Sequence, residues 1–213
     1  MLSGEEPDPV AVQALDQALV LHADHELNAS TFSARVTIAT LSDIYSGVTS
    51  AIGTLKGPLH GGANEAVMKM LSEIGTLDQA EPYIQHKLAN KEKIMGFGHR
   101  VYKNGDPRAK HLQKMSRQLS LLKGDSTLYD ISIKVDSLVS GQKGLRPNVD
   151  FYSASVYTLL GIPSDLFTPI FAISRLSGWT AHILEQLEDN RIIRPRAEYT
   201  GPSNQQYIPI DLR

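Results

Sequence analysis

Apolar residues recur at helical spacing in one segment after another and no stretch alternates with period two for long, which constrains the chain to an all-α fold. Asp8-Pro9 sets a capping carboxylate ahead of a proline suited to the first helical turn, and Ala11, Leu15, Ala18 and Leu19 follow toward His22. A second periodic run is expected as one helix over about 33–54, with Val36, Leu41, Ile44, Tyr45, Val48 and Ile52 on a stripe facing the core. The breakers Gly57 to Gly62 make a loop, and a helix is expected over 63–74, ended by Gly75. Further helices are expected at roughly 82–90, 106–122, 128–140, 149–160 and 165–187, with a loop over 141–147. Beyond Arg194 the spacing of Pro195, Pro202 and Pro209 predicts an extended arm.

The 213 residues are enough for a substantial core. A net charge of −2 gives no broad pull toward nucleic acid or an anionic membrane, so any anion site has to be local. The absence of cysteine removes disulfides, thiolate metal sites and cysteine nucleophiles and leaves the redox compartment open. The start, Met1-Leu2-Ser3-Gly4-Glu5-Glu6-Pro7, is acidic and has neither the basic nor the apolar region of a signal peptide, and no membrane-spanning apolar run follows. A cytoplasmic location is the expectation.

Four polar clusters place ionisable groups in loops or at helix ends, where function concentrates: His22-Ala23-Asp24-His25-Glu26, Gly57 to Gly62, Gly96-Phe97-Gly98-His99-Arg100 and Pro147-Asn148-Val149-Asp150. His22 and His25 are three apart, but no cysteine and no downstream histidine pair completes a metal set, so no metal site is expected. Read from the residues alone, both are buried, satisfied histidines. Gly96-x-Gly98 lacks the third glycine and the βαβ unit of a dinucleotide loop. Arg100, Lys103, Lys110, Lys114 and Arg117 are either a solvated helix face or phosphate contacts. His86 and His111 are expected at the surface, and Trp179 in the core.

Taken in order, Gly57-Pro58-Leu59-His60-Gly61-Gly62-Ala63-Asn64-Glu65, Gly96-Phe97-Gly98-His99-Arg100-Val101-Tyr102, Asp106-Pro107-Arg108 and Arg146-Pro147-Asn148-Val149-Asp150 resemble the citrate synthase family. The segments 22–28, Ile173-Ser174-Arg175 with Gly178-Trp179, and Arg194-Pro195-Arg196 extend the resemblance along essentially the whole chain. Family members are considerably longer at the amino end, so the resemblance favours a truncated chain. It implies a large-domain portion over 1–61, a small helical domain over 62–155, a large-domain portion with a carboxy-terminal arm over 156–213, and an active-site cleft between the domains.

The implied reaction condenses acetyl-coenzyme A with oxaloacetate to give citrate and coenzyme A. No cofactor is implied, because the coenzyme A thioester is a substrate. Removing a proton from an acetyl methyl group needs help at the thioester oxygen. A neutral histidine beside a helix N-terminus suits that task, since the dipole disfavours imidazolium, and His60 fits the description. By resemblance Asp150 is the base, His60 stabilises the enol and His99 donates to the oxaloacetate carbonyl. His25, Arg108, Arg175 and Arg194 bind the oxaloacetate dianion, with guanidinium forks matching its carboxylates. Arg194 reaches the neighbouring subunit's site, which implies a homodimer. Lys103, Lys143 and Arg146 are the implied coenzyme A contacts. A 2-methylcitrate synthase using propionyl-coenzyme A is the near alternative, with pocket shape near Phe151 and Tyr152 setting the difference. The other alternative is a catalytically incompetent fragment whose bared apolar surface binds a second polypeptide.

Overall fold

The computed structural model describes residues 4–213, so the reading made on Met1 to Ser3 lies outside the described residues. Among these, nine α-helices and no strand are present, the one ladder-like contact being an isolated antiparallel bridge between Phe97 and Pro147. The helices are α1 (Pro9–His22), α2 (Ala29–Ile38), α3 (Ile44–Leu55), α4 (Ala63–Ile74), α5 (Ala80–Ala89), α6 (Ala109–Lys123), α7 (Thr127–Lys143), α8 (Val149–Leu159) and α9 (Phe167–Glu188). The described residues contain no helix long and apolar enough to cross a membrane.

Side-chain caps explain several of the starts. Asp8 accepts from the Val10 N–H at 2.7 Å ahead of α1, Asn28 from Thr31 ahead of α2, Asp43 from Ser46 at 2.8 Å ahead of α3, and Asn148 from Asp150 ahead of α8. Each such cap is worth about 1 kcal/mol.

The cap at Asp43 also corrects an expectation. The run over 33–54 is not one helix: α2 stops at Ile38, and Leu41 turns the chain with φ 65° before Asp43 opens α3. The supposed core stripe therefore divides, leaving Leu41, Tyr45 and Ile52 exposed while Ala34, Ile38, Ala51 and Leu55 are buried. A side-chain cap and a left-handed turn outweigh a periodicity that continues across them. Elsewhere the differences are at ends: α7 runs on to Lys143, and Asp106-Pro107-Arg108 forms a turn before α6 rather than its first residues.

Two apolar cores result. Residues of α1, α4, α5, α6, α7 and α8 pack around Val67, Leu71, Leu112, Leu119, Val135 and Phe151. A smaller core joins α2, α3 and α9 through Ile38, Leu55, Phe171, Trp179 and Ile183. Trp179 is fully buried there and its Nε1–H donates to Ser30 Oγ at 3.1 Å. His86 and His111 are exposed. After α9 the chain forms no regular element and is largely exposed as far as a short 3-10 turn at Ile210–Leu212.

Candidate active site

Segments 25–29, 58–60, 95–101 and 148–150 converge on a cleft of about 680 Å³, completed by Lys93, Ala63, Arg108 and, from α9, Phe171 and Arg175. Two of these segments are zipped together by backbone. The Asn148 N–H donates to the Gly96 carbonyl at 2.9 Å, the Gly98 N–H to the Arg146 carbonyl at 2.9 Å, and Asn148 Nδ2 to the Gly98 carbonyl at 3.0 Å. Gly96 sits at φ 81°, and a Cβ there would come within 2.8 Å of Val67 and 2.9 Å of Phe151, so only glycine lets the strip lie this close to the core. The zip brings His99 and Asp150, distant in sequence, to one cavity.

Asn148 then does a second job. Its Oδ1 accepts the Asp150 N–H at 3.0 Å, capping α8 with the carboxylate in the first turn. Asp106 ties the same helix start from another side: Oδ2 accepts the Val149 N–H at 3.0 Å, while both carboxylate oxygens grip Arg108, Nε at 2.9 Å and Nη2 at 2.8 Å. Burial alone would raise the Asp106 carboxyl, and the Arg108 fork outweighs it, holding it below its usual value.

The three cleft histidines are all pushed toward the neutral form, in each case chiefly by burial. For His60 burial, helped by the nearby Arg175 charge, brings the value down to about 4. The Ser30 amide N–H, which can only donate, points at His60 Nε2 at 3.4 Å, with Ser30 Oγ 2.8 Å from the same atom. The tautomer that satisfies this amide carries its proton on Nδ1. His99 Nδ1 likewise accepts from two backbone N–H groups, Val101 at 3.0 Å and Tyr102 at 3.2 Å, which leaves Nε2–H as its donor. The His25 ring lies 5.1 Å from that of His99, and its Nε2 is buried with no hydrogen-bond partner.

Burial raises Asp150 from 3.8 to about 7, against the opposing pull of Arg108 and Arg175, and its Oδ1 has no partner. Arg175 is 1% exposed. Its Nε donates to the His22 carbonyl at 2.7 Å and its guanidinium lies 4.8 Å from the Phe171 ring centre, but Nη1 is buried without an acceptor. A buried guanidinium nitrogen with nothing to bond is costly unless an anion meets it. The cleft therefore offers two neutral N–H donors, a carboxyl poised near neutrality and an unanswered cation.

Of the ten site residues expected from the sequence, the fold gathers His25, His60, His99, Arg108, Asp150 and Arg175 around this cleft. Arg194, Lys103 and Lys143 are exposed and do not line it, and Arg146 borders a separate shallow depression with Gln113 and Asp136. Phe151 and Tyr152 do not line it either: both are fully buried, Phe151 against Phe97 and Tyr152 donating to Asp136 at 2.7 Å. His22 is buried, but only Nδ1 is satisfied, through the Ala18 carbonyl. Ser30 and Asp106 were not among the expected site residues. A carboxylate two residues before Arg108 is a local signal that could have found Asp106, whereas no local signal joins Ser30 to His60 thirty residues away.

The family model "Citrate synthase, C-terminal domain" matches residues 1–196. The chain is 68% identical over 212 residues to citrate synthase 2 of Bacillus subtilis, with all of this chain and 57% of that protein aligned. It is 49% identical over 213 residues to 2-methylcitrate synthase of Shewanella oneidensis, again covering the whole chain and 57% of the relative. Its fold matches citrate synthase of Thermoplasma acidophilum, solved as a ternary complex with carboxymethyl coenzyme A and oxaloacetate, with a TM-score of 0.90 and 42% identity over 99% of this chain and 57% of that one. The chain thus spans little more than half the length of the proteins it matches. With the match running along nearly all of its residues, the chain belongs to the citrate synthase family.

Proposed function

We propose that the cleft condenses acetyl-coenzyme A with oxaloacetate, with no cofactor beyond the thioester substrate. Asp150 as carboxylate takes a proton from the acetyl methyl group, while the His60 Nδ1–H donates to the thioester oxygen where the negative charge gathers. The enol carbon attacks the oxaloacetate carbonyl, and His99 Nε2–H gives its proton to the alkoxide as the carbon–carbon bond forms. Water then cleaves the citryl thioester, releasing citrate and coenzyme A. Arg175 Nη1, His25 and the N–H groups of Arg108 not taken by Asp106 hold the oxaloacetate carboxylates.

The observation that carries the reading is the meeting, in one cleft, of a carboxyl tuned to about 7 with two neutral histidines and a buried arginine nitrogen lacking an acceptor. We further propose a cytoplasmic homodimer in which the exposed Arg194 completes the neighbouring site, with Lys103, Lys143 and Arg146 meeting the coenzyme phosphates. A solution mass of two chains is the expected result for the assembly.

The test of the reaction is oxaloacetate-dependent release of coenzyme A thiol from purified chain. Release faster from acetyl- than from propionyl-coenzyme A is expected. The identity to a 2-methylcitrate synthase favours a second reading, and equal or faster release from propionyl-coenzyme A would establish it. No release from a folded chain overturns both.

A further inference from the structure

Three residues on one face of α9, at spacings of three and four, meet three consecutive residues of the segment that carries His25. Arg175 Nε donates to the carbonyl of His22 at 2.7 Å. Gly178 lies so close to the next residue that a Cβ would stand 2.2 Å from the Ala23 carbonyl oxygen. His182 Nε2 is 3.1 Å from Asp24 Oδ1. The next side chain is His25, in the cleft, and Glu26 follows in the left-handed region at φ 48°. Asp24 Oδ2 accepts the Glu26 N–H at 3.3 Å, so its carboxylate spans His25 on both sides.

The tautomer of His182 is set from behind. Arg35 Nη1, a donor only, is 3.0 Å from His182 Nδ1 and 3.2 Å from the His182 carbonyl, and it also pairs with Glu185. Nδ1 must accept, so Nε2–H donates to Asp24. Arg35 Nε is in turn fixed by Gln186 Oε1 at 3.1 Å. Burial, with the Arg108 charge, lowers the Arg175 guanidinium to about 10, and the Asp24 carboxylate acts against that shift. His182 itself does not line the cleft.

We infer that His182 is a positioning residue for the oxaloacetate subsite: by holding Asp24 it fixes His25 in the cleft. The inference rests on the oxaloacetate reading of the cleft. Two features separate it from a merely structural tie between α2 and α9. The first is direction, since the bond to Asp24 leads toward the cleft while the Arg35–Glu185 pair, at the exposed edge, leads away. The second is chemistry, since any side chain with a suitably placed N–H can replace the imidazole donor.

Calorimetric titration of the whole protein with oxaloacetate tests this. His182→Ala is expected to weaken binding about tenfold, His182→Gln to stay within about twofold because its amide N–H reaches Asp24, and Glu185→Gln to leave binding unchanged. His182→Ala binding within twofold of the parent overturns the inference, and so does Glu185→Gln weakening binding as much as His182→Ala. Should His182→Ala fail to fold, Asp24→Ala carries the test, with the same tenfold loss expected. If the parent protein binds no oxaloacetate, the substrate reading has failed and the positioning claim is judged by amide hydrogen exchange. His182→Gln should then match the parent over residues 23–27 while Asp24→Ala exchanges faster there, and equal exchange in all three overturns the claim.

Discussion

Burial raises the Asp150 carboxyl from 3.8 to about 7, and the sign of that shift decides how stability responds to pH. An acid that holds its proton more tightly folded than unfolded makes folding less favourable as pH rises between those two values. The cost is absent below about pH 4 and complete above about pH 7, where it amounts to at most about 4 kcal/mol. Asp150→Asn is therefore expected to unfold at a higher temperature than the parent near pH 8, with the gain fading toward pH 4. A thermal shift series across that range checks it, and a variant less stable at pH 8 would show that the carboxylate is well solvated after all. At this scale the gathering of His60, His99 and Asp150 was legible, because His60 and His99 each sit beside a glycine and Asp150 follows Pro147 by three residues, each within a motif. The Ser30–His60 contact was not, since it depends on how the start of α2 docks against a loop thirty residues further on.

At the scale of elements, caps and glycines decide where the helices stop and hence what faces the cleft. Asn148 closes α8 through the Asp150 N–H and grips the Gly98 carbonyl. Asn148→Ala loses both bonds and leaves a half-buried carbonyl unanswered, an expected cost of about 1–2 kcal/mol. Because the same bonds help bring His99 and Asp150 to one cleft, turnover should fall by more than the stability loss explains. Denaturant midpoints and kcat measured on one preparation separate the two, and an unchanged kcat would mean that the backbone zip alone sets the geometry. Helix existence was readable from apolar spacing almost throughout. The single run that failed, 33–54, did so because Asp43 and the left-handed Leu41 are local signals that a periodicity argument passes over.

At the scale of the whole molecule, α9 supplies Phe167 to the larger core and Phe171, Trp179 and Ile183 to the smaller one, so the two are not independent. Unfolding is expected to be a single transition. Trp179, the sole tryptophan, reports the smaller core, while far-ultraviolet circular dichroism reports all the helices, and their midpoints should coincide. Separated midpoints would mean that each core folds alone. This level was least legible in the sequence: periodicity shows which face of a helix is apolar but not which partner covers it. Ile173, Leu184 and Leu187 along α9 are exposed although they belong to an apolar helix, which no local pattern marks.

In the reaction we propose, Asp150 removes the methyl proton in a cleft that holds oxaloacetate. Release of coenzyme A thiol from acetyl-coenzyme A, followed with and without oxaloacetate for the parent chain and for Asp150→Asn, tests it most directly. Release only with oxaloacetate is expected, with a fall of about a thousandfold or more in the variant while calorimetry still shows oxaloacetate bound. Comparable release by both proteins would contradict it.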